Sequence, residues 1–219
     1  MHPEVKEQVL GLSLTSDRPL IISDADEVLV QFMVGLEHFL ESRGLYIDLT
    51  TFAITGNVRR QEDDVPATQD EVKALMKDFF IERTGRVEAV PGAAEALETL
   101  SERAQIVVLT NTPPKQRDAR IHSLQSQGID YPVIANIGPK GPTVAHMARN
   151  VEAPIYFLDD IPQHHTSVSE EADHVHRIHF IADPRLAKLI DKSADSHHRI
   201  DDWPSAHAHI DKHLRSLGY

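Results

Sequence analysis

Polar side chains follow three apolar runs of this sequence, each at the point where the run ends. They are, in chain order, Asp24 with Asp26, Thr110 with Asn111, and Asp159 with Asp160. Short apolar runs of this kind are typical of buried β-strands. Open α/β sheets bind ligands at the carboxyl ends of their parallel strands, so we expect these side chains to meet there.

Lys140 follows a further predicted strand and comes just before a predicted helix. At the same edge of the sheet it would supply positive charge to a group of carboxylates. Carboxylates that are packed together repel one another and raise each other's pKa unless a cation neutralises them. Mg²⁺ prefers oxygen ligands and is usually held by one or two carboxylates, water and substrate phosphate. The spacing therefore predicts a Mg²⁺ site.

Each of these groups also has an ordinary structural explanation. An Asp-x-Asp sequence is common in solvated turns and helix caps, Thr110-Asn111 alone would make a simple turn, and a single lysine usually lies at the surface. Asp159 and Asp160 would cap a helix that begins near Pro162. The order of the groups, each at the end of a predicted strand, favours a site.

The residues from Pro91 onward predict alternating helices and strands that would position these groups. The predicted helices are 92–100, 115–127, 142–150, 184–191 and 204–217, and the predicted strands are 105–110, 132–137, 154–158 and 175–181. With a first strand at 19–22, this succession predicts an α/β fold, a Rossmann-like parallel sheet with helices on both faces. The partial alternation of histidine with apolar residues at 175–181 is typical of an edge strand.

The interval between Asp24 and Pro91 predicts an insertion after the first strand. Residues 31–43 have helical spacing, and Thr68 with Glu71 forms a capping-box pattern before a second helix. The expected divisions are 1–30 and 88–219 for the α/β core, 31–87 for a small, mainly helical cap, and 46–66 for a loop region inside the cap.

The composition disfavours several classes of function. The formal net charge of −12, from 22 basic and 34 acidic residues, disfavours non-specific binding to nucleic acid or anionic membranes. No apolar run approaches the roughly 18 residues that span a bilayer, and the amino terminus is too polar for a signal peptide, so we expect a cytoplasmic protein. The absence of cysteine excludes disulfides, thiolate metal ligands and a cysteine nucleophile.

The 14 histidines are concentrated toward the carboxyl-terminal third, as in His164-His165, 174–179 and His197-His198. Such residues are ordinary as solvated or capping side chains, and their bunching also leaves open a separate transition-metal site. That second interpretation predicts zinc or nickel binding that survives Asp24→Asn and is lost when His164 and His165 are replaced.

Four segments resemble the motifs of the haloacid dehalogenase (HAD) superfamily of phosphatases. They are LIISDADEVLV, IVVLTNT, the lysine of GPKGP, and YFLDDIP, in the order of the superfamily. The resemblance covers roughly residues 19–182. The interval between Asp24 and Thr110 fits members that carry a small helical cap after the first motif. The resemblance implies a HAD-like core and phosphatase chemistry.

The resemblance also implies catalytic roles. Asp24 would be the nucleophile that forms an aspartyl-phosphate, which water then hydrolyses. Asp26 would protonate the leaving alcohol and afterwards activate the water. Thr110 and the backbone amide of Asn111 would hold the phosphoryl oxygens, and Lys140 would neutralise charge on Asp24 and on the phosphate.

A bound Mg²⁺ is the cofactor that the resemblance implies. Its ligands would be Asp24, the backbone carbonyl of Asp26, and Asp159. Asp160 would act through a water molecule or support the direct ligands. Two departures from the family pattern stand out: Glu27 occupies a position that is usually glycine, and no glycine precedes Asp159.

The resemblance implies a hydrolase acting on a small phosphorylated metabolite. Alternatives are a phosphotransferase or sugar-phosphate mutase, and a non-catalytic module of the same fold that binds a phosphorylated ligand or a protein. Arg59 and Arg60 are candidates to bind a second anionic group of the substrate, unless they lie in a solvated loop. His164 would face the site one helical turn beyond Asp160, or lie on the helix surface. Neither the substrate nor the oligomeric state can be read from the sequence.

Overall fold

Eight strands and nine helices make up the fold in a computed structural model that describes residues 1–219. The strands are β1 (Leu20–Ser23), β2 (Leu45–Ile47), β3 (Val58–Arg60), β4 (Gln105–Thr110), β5 (Val133–Ala135), β6 (Ile155–Asp159), β7 (His176–His179) and β8 (His198–Arg199). The helices are α1 (Pro3–Leu10), α2 (Phe32–Glu41), α3 (Gln69–Arg83), α4 (Ala93–Ser101), α5 (Arg117–Gln125), α6 (Gly141–Ala148), α7 (Pro162–Glu171), α8 (Pro184–Ala187) and α9 (Trp203–Ser216).

Six of the strands form one parallel sheet in the order β5-β4-β1-β6-β7-β8. The apolar run of β1 is buried on both faces, as expected of a central parallel strand. Ile21 packs into a cluster that includes residues of α2, α4 and α9, whereas Leu20 and Ile22 pack with residues of α1, α6 and α7. The predicted α/β fold with helices on both faces is therefore confirmed.

The register of β1 places the predicted site. Ser23, its last residue, lies opposite Val108 of β4 and Leu158 of β6. Asp24 is thus one residue beyond the end of β1 and has the ends of β4 and β6 on either side. Strand order and register together bring three of the predicted polar segments to one edge of the sheet.

Residues 31–87, the stretch expected to form the insertion and called the insertion below, contain α2, α3 and a two-stranded antiparallel pair, β2 with β3. The region 46–66, expected to be a loop with little regular structure, therefore includes β3 and most of β2. Each strand has only three residues, too few to show an alternating pattern. The connection between them is organised by Asn57, whose side-chain amide donates to the backbone oxygens of Thr51 and Ala53.

The two helices of the insertion pack on each other and on the α/β core. The capping box at α3 is confirmed, because Thr68 Oγ1 accepts a hydrogen bond from the Glu71 backbone N–H and Glu71 Oε2 accepts one from the Thr68 backbone N–H. The Phe32 and Phe79 rings meet edge to face at 5.1 Å. Both rings belong to the same buried cluster as Ile21.

Short elements near the chain ends differ from the expectation. Strand β7 is not at the edge of the sheet, because β8 pairs with it through Ile178 and His179. A two-residue polar strand leaves no signal in the sequence. Helix α1 was missed as well, although Val5 and Val9 recur four residues apart and are both buried. No helix has the length and apolar character needed to cross a bilayer.

Candidate active site

Lys140 bridges two carboxylates beyond the ends of the central strands. Its Nζ lies 2.7 Å from Asp24 Oδ1 and 2.6 Å from Asp159 Oδ2. The lysine side chain has no exposed surface. Although burial opposes it, these two carboxylates raise the pKa of Lys140 above its usual range, so the ammonium stays charged. The structure therefore brings Asp24, Lys140 and Asp159 together, as the sequence predicted.

A close approach of α6 and α7 positions Lys140. Lys140 is the N-cap residue of α6, and the next residue, Gly141, faces α7. A Cβ at Gly141 would lie 2.0 Å from the backbone oxygen of Ser167, a distance that no side chain tolerates. The Gly141 N–H donates to Ser167 Oγ at 3.0 Å. Because Gly141 has no side chain, α6 can contact α7 at this point, and the contact positions Lys140 in the site.

Three buried carboxylates converge beside this lysine. Oxygens of Asp24, Asp159 and Asp160 all lie within 4.8 Å of one another. Burial, opposed by Lys140 and reinforced by Asp159, raises the pKa of Asp24 to about 7. Burial and the charges of Asp159 and Asp24 raise the pKa of Asp160 well above its usual value. A single ammonium does not neutralise the three acids.

The donor set fits a divalent cation. The Lys140 ammonium lies against Asp24 Oδ1, and no hydrogen bond within the protein reaches Asp24 Oδ2. No hydrogen bond reaches the backbone carbonyl oxygen of Asp26. Carboxylate and carbonyl oxygens that lack other partners are suitable ligands for Mg²⁺. Asp24, Asp159, Asp160 and the Asp26 carbonyl would hold the ion.

Two buried histidines hold the backbone of the Asp159-Asp160 segment by hydrogen bonds. His165 Nε2 donates to the Asp159 backbone oxygen, and His179 Nε2 donates to the Asp160 backbone oxygen, each at 2.9 Å. The tautomer of His179 follows from its other nitrogen, since Nδ1 accepts the Ser193 backbone N–H at 3.0 Å. Burial lowers the pKa of His165 to about 4, so that ring is neutral.

Asp26 forms an ion pair that the sequence did not predict. Its Oδ1 is bound by Nη2 of Arg120, on α5, whose side chain is fully buried. Arg120 Nε also donates to Thr112 Oγ1 at 3.3 Å. The sequence does contain a signal that Arg120 is buried. It lies three and four residues before Ser123 and Leu124, the spacing of one helix face, and this face of α5 is buried. The pair fixes one carboxylate oxygen of Asp26, and Oδ2 makes no hydrogen bond within the protein.

The Thr110–Thr112 turn closes another side of the site. Thr110, the last residue of β4, is buried, and its Oγ1 accepts the Thr112 N–H at 3.2 Å. Asn111 lines the cleft beside the carboxylates and is held by hydrogen bonds to Asn136 and Gly138. The structure thus brings both predicted phosphate-binding residues to this sheet edge, with Asn111 toward the cleft and Thr110 behind it.

A cavity of about 680 Å³ opens above the carboxylates, between the core and the insertion. Its floor includes Asp24, Asp26 and Asp160. Its apolar wall comprises Phe32, Met33, Phe52, Ala53, Ile54, Val72, Met76, Phe80, Ile161 and Leu186. His164 also lines this cavity, as expected, and burial lowers its pKa. The cleft therefore combines an acidic floor with a mostly apolar wall.

Arg59 and Arg60 do not line this cleft, which favours the solvated position over the substrate contact that the sequence also left open. Arg59 Nε pairs with Asp64 Oδ1 and Arg60 Nη2 with Glu71 Oε1, each at 2.7 Å. Arg60 instead borders a separate surface depression beside Arg43. Both guanidinium groups are therefore paired with acidic residues of the insertion and not with the Asp24 site.

Glu27 takes a structural role where the family pattern has glycine. Its φ of 58° is left-handed, a conformation that glycine adopts most easily. Its buried carboxylate accepts the backbone N–H of Met33, in α2, at 2.6 Å and that of Asp183, which caps α8, at 3.0 Å. Burial raises the pKa of Glu27 to about 7. The side chain thus joins two segments that border the cleft.

Solved structures with the same fold span nearly the whole chain. A HAD family hydrolase from Deinococcus radiodurans R1, solved with bound phosphate and sodium, is 17% identical, with a TM-score of 0.59 over 91% of this chain and 97% of the other. A "predicted phosphatase" from Clostridium acetobutylicum is 12% identical, with a TM-score of 0.58 over 90% and 100%. The chain has the fold of the HAD-like hydrolases.

A candidate beta-phosphoglucomutase from Bacteroides vulgatus is also similar to this HAD-like chain, with 18% identity and a TM-score of 0.54 over the full length of both. No protein-family model and no curated protein sequence matches the chain. At these identities the likeness is one of fold, and the chemistry rests on the HAD-like site itself.

Proposed function

We propose that this HAD-like protein is a Mg²⁺-dependent phosphatase that removes phosphate from a small phosphorylated metabolite through an aspartyl-phosphate at Asp24. The observation that carries the proposal is the ammonium of Lys140 between Asp24 and Asp159, with Asp26 at the same cleft. A fold that served only to bind a ligand would have no need for this buried, mutually repelling set of acids.

The two aspartates at the end of β1 have separate roles in this proposal. An Asp24 carboxylate oxygen attacks phosphorus, so that a P–O bond to Asp24 forms as the bond to the leaving alcohol breaks. Asp26 gives its proton to the departing oxygen and then takes one from the water that hydrolyses the intermediate. Arg120 holds Oδ1 of Asp26, which leaves Oδ2 as the proton-transferring atom.

Positive charge allows an anionic nucleophile to approach an anionic substrate. Lys140 neutralises Asp24, and in this proposal its charge also offsets that of the incoming phosphoryl group. Asp24, Asp159, Asp160 and the Asp26 carbonyl would hold Mg²⁺, which when bound would supply Lewis-acid stabilisation to the phosphoryl oxygens. Asn111 binds a remaining oxygen through its backbone N–H, and Thr110, buried behind it, holds this turn in place through its hydroxyl.

The wall of the cleft supports a substrate class. Most of the side chains above the acids are apolar, and Lys73 is the only lysine or arginine among the lining residues. Apolar walls favour an apolar ligand body through the burial of surface, and they leave a second anionic group unpaired. We therefore propose a phosphomonoester with one phosphate and an apolar alkyl or aryl alcohol.

A phosphate-release screen over alkyl, aryl and sugar monophosphates, with and without Mg²⁺, tests this function. We expect turnover that requires Mg²⁺, prefers alkyl or aryl esters, and falls to background in Asp24→Asn with the fold retained. Full activity in Asp24→Asn, or no turnover of any ester, would contradict the assignment. A preference for sugar phosphates would overturn the substrate class alone.

Phosphoryl transfer is the second candidate, supported by the fold shared with the candidate beta-phosphoglucomutase. It uses the same aspartyl-phosphate, with an alcohol in place of water as the acceptor. Transfer of labelled phosphate to an added alcohol, faster than its release as free phosphate, would identify this activity. Equal release with and without the alcohol would identify a phosphatase.

A further inference from the structure

Five histidines gather where helix α9 covers strands β7 and β8, away from the carboxylates of the active site. They are His176 on β7, His197 and His198 at β8, and His209 and His213 on α9. His176 lies opposite Tyr156, and His198 lies opposite Ile178, so these residues share the sheet face that α9 covers. Tyr156 precedes Asp159 by three residues of β6, about 10 Å along the strand.

Three of these histidines have ring nitrogens that converge. Nitrogens of His176, His198 and His209 all lie within 4.8 Å of one another. The Nε2 atoms of His176 and His209 are 3.2 Å apart, and the rings of His198 and His209 have centroids 4.4 Å apart. His198 is exposed, and the other two are partly buried. The cluster is thus open to solvent on one side.

These distances suit a shared metal ion. Zinc binds imidazole nitrogen at about 2.0–2.1 Å, and two nitrogens of a tetrahedral site therefore lie roughly 3.3 Å apart. The observed separation of the two Nε2 atoms is close to that value. Three histidines and one solvent position form a common zinc ligand set. No thiolate is available anywhere in the chain.

The two remaining histidines support the other three. His197 Nδ1 accepts the Arg177 backbone N–H at 2.9 Å, and its ring stacks on His176 at 4.9 Å. His213 Nδ1 lies 2.8 Å from the Tyr156 hydroxyl.

We propose that His176, His198 and His209 bind one divalent transition-metal ion, of the Zn²⁺ class, at a site separate from the active site. The ion would tie α9 to β7 and β8 by ligands from all three elements. Neutral imidazole suits zinc, nickel and copper, whereas Mg²⁺ prefers oxygen. The two sites therefore select different metals by ligand chemistry. Two of the converging histidines, His176 and His198, belong to histidine groups noted in the sequence, whereas the His164-His165 pair takes no part in the cluster.

Zinc titration of the metal-free chain by calorimetry tests the proposal. We expect one equivalent to bind to the wild type and, unchanged, to Asp24→Asn, which weakens the carboxylate site. His198→Gln and His209→Gln should each weaken binding by about 100-fold or more. Because His198 is exposed, its replacement leaves the core intact. His207→Gln, on the same helix but outside the cluster, is the matched control.

X-ray absorption at the zinc edge gives an independent measurement and should show imidazole scattering from about three histidines. The absence of saturable zinc binding would overturn the proposal. So would binding that is lost in Asp24→Asn, or binding that is unchanged in both His198→Gln and His209→Gln. None of these outcomes depends on phosphatase activity, so the proposal fails separately from the proposed function.

Discussion

The fully buried guanidinium of Arg120 is paired with Asp26, a carboxylate that is 20% exposed and borders the cleft. The two residues are separated by 94 positions in the sequence. The pair is asymmetric, because water can solvate Asp26 if the arginine is removed but cannot reach Arg120 if the aspartate is removed. Asp26 therefore contributes to stability in addition to its proposed chemistry.

This asymmetry predicts the result of a double-mutant cycle. Asp26→Asn should destabilise the fold by about 3 kcal/mol, because it leaves a buried cation unpaired. Arg120→Met should cost less, about 1 kcal/mol, since Asp26 stays hydrated and methionine fills the space. Combining the two changes should recover most of the stability lost in Asp26→Asn. Urea unfolding at one pH measures all four proteins.

Measuring phosphate release in the same four proteins separates the effect on catalysis from the effect on stability. Activity should stay at background in both proteins that carry Asp26→Asn, because the proton-transferring group is gone. Strictly additive losses of stability in the double variant would show that Arg120 and Asp26 do not depend on each other.

Gly141→Ala should impair both stability and turnover. The added Cβ would lie 2.0 Å from a backbone oxygen of α7, so α6 has to move and Lys140 with it. We expect a loss of about 3 kcal/mol or more in unfolding free energy and a lowered kcat. Gly85→Ala is the matched control, because its Cβ would meet only ordinary contacts at 3.8 Å and beyond. Equal behaviour of the two variants would contradict the packing argument.

Glu27→Gln should change how stability depends on pH. The folded state raises the pKa of Glu27 from 4.5 to about 7, so the folded chain binds the proton more tightly than the unfolded chain does. The stabilising effect of that proton is complete below about pH 4.5 and is lost as the pH rises to about 7. Relative to the wild type, Glu27→Gln should therefore gain up to about 3 kcal/mol across this interval.

Unfolding in EDTA at pH 4.5, 6 and 7.5 measures this change without interference from bound metal. Glutamine keeps the length of the side chain but places an amide N–H near one of the two backbone donors. We therefore expect a constant difference in unfolding free energy at all three pH values, in addition to the difference that grows with pH. A difference between the proteins that does not vary with pH would refute the shifted titration.

Phe80→Ala should reduce kcat/KM for aryl phosphates by about 10- to 100-fold, because the ring forms part of the apolar wall. Activity toward a small ester such as methyl phosphate, which does not reach the wall, should fall much less. Ile81→Ala is the matched control, since Ile81 is the next residue of α3 and is 55% exposed. Equal losses on both substrates would place the effect on the fold, not on binding.

The sequence predicted those site residues that lie on the chain next to a strand end. Asp24 and Asp159 follow from apolar runs that end in acids, and Lys140 follows from its place before a helix.

Arg120 and His179 could not be predicted, because their contacts with Asp26 and Asp160 come from distant segments and depend on side-chain direction. The sequence left Arg59 open between a substrate contact and a solvated loop, and the structure pairs it locally with Asp64, five residues away.

The central position of β1 also has a consequence during synthesis. This strand is made before both of its neighbours in the sheet, β4 and β6, which are encoded far downstream of it. Until β6 has left the ribosome, the apolar run Leu20–Ile22 has an unpaired edge, a condition that exposes a nascent chain to aggregation. Long-range parallel pairing of this kind also folds slowly. We therefore expect fragments that end before β6 to be both inactive and dependent on chaperones.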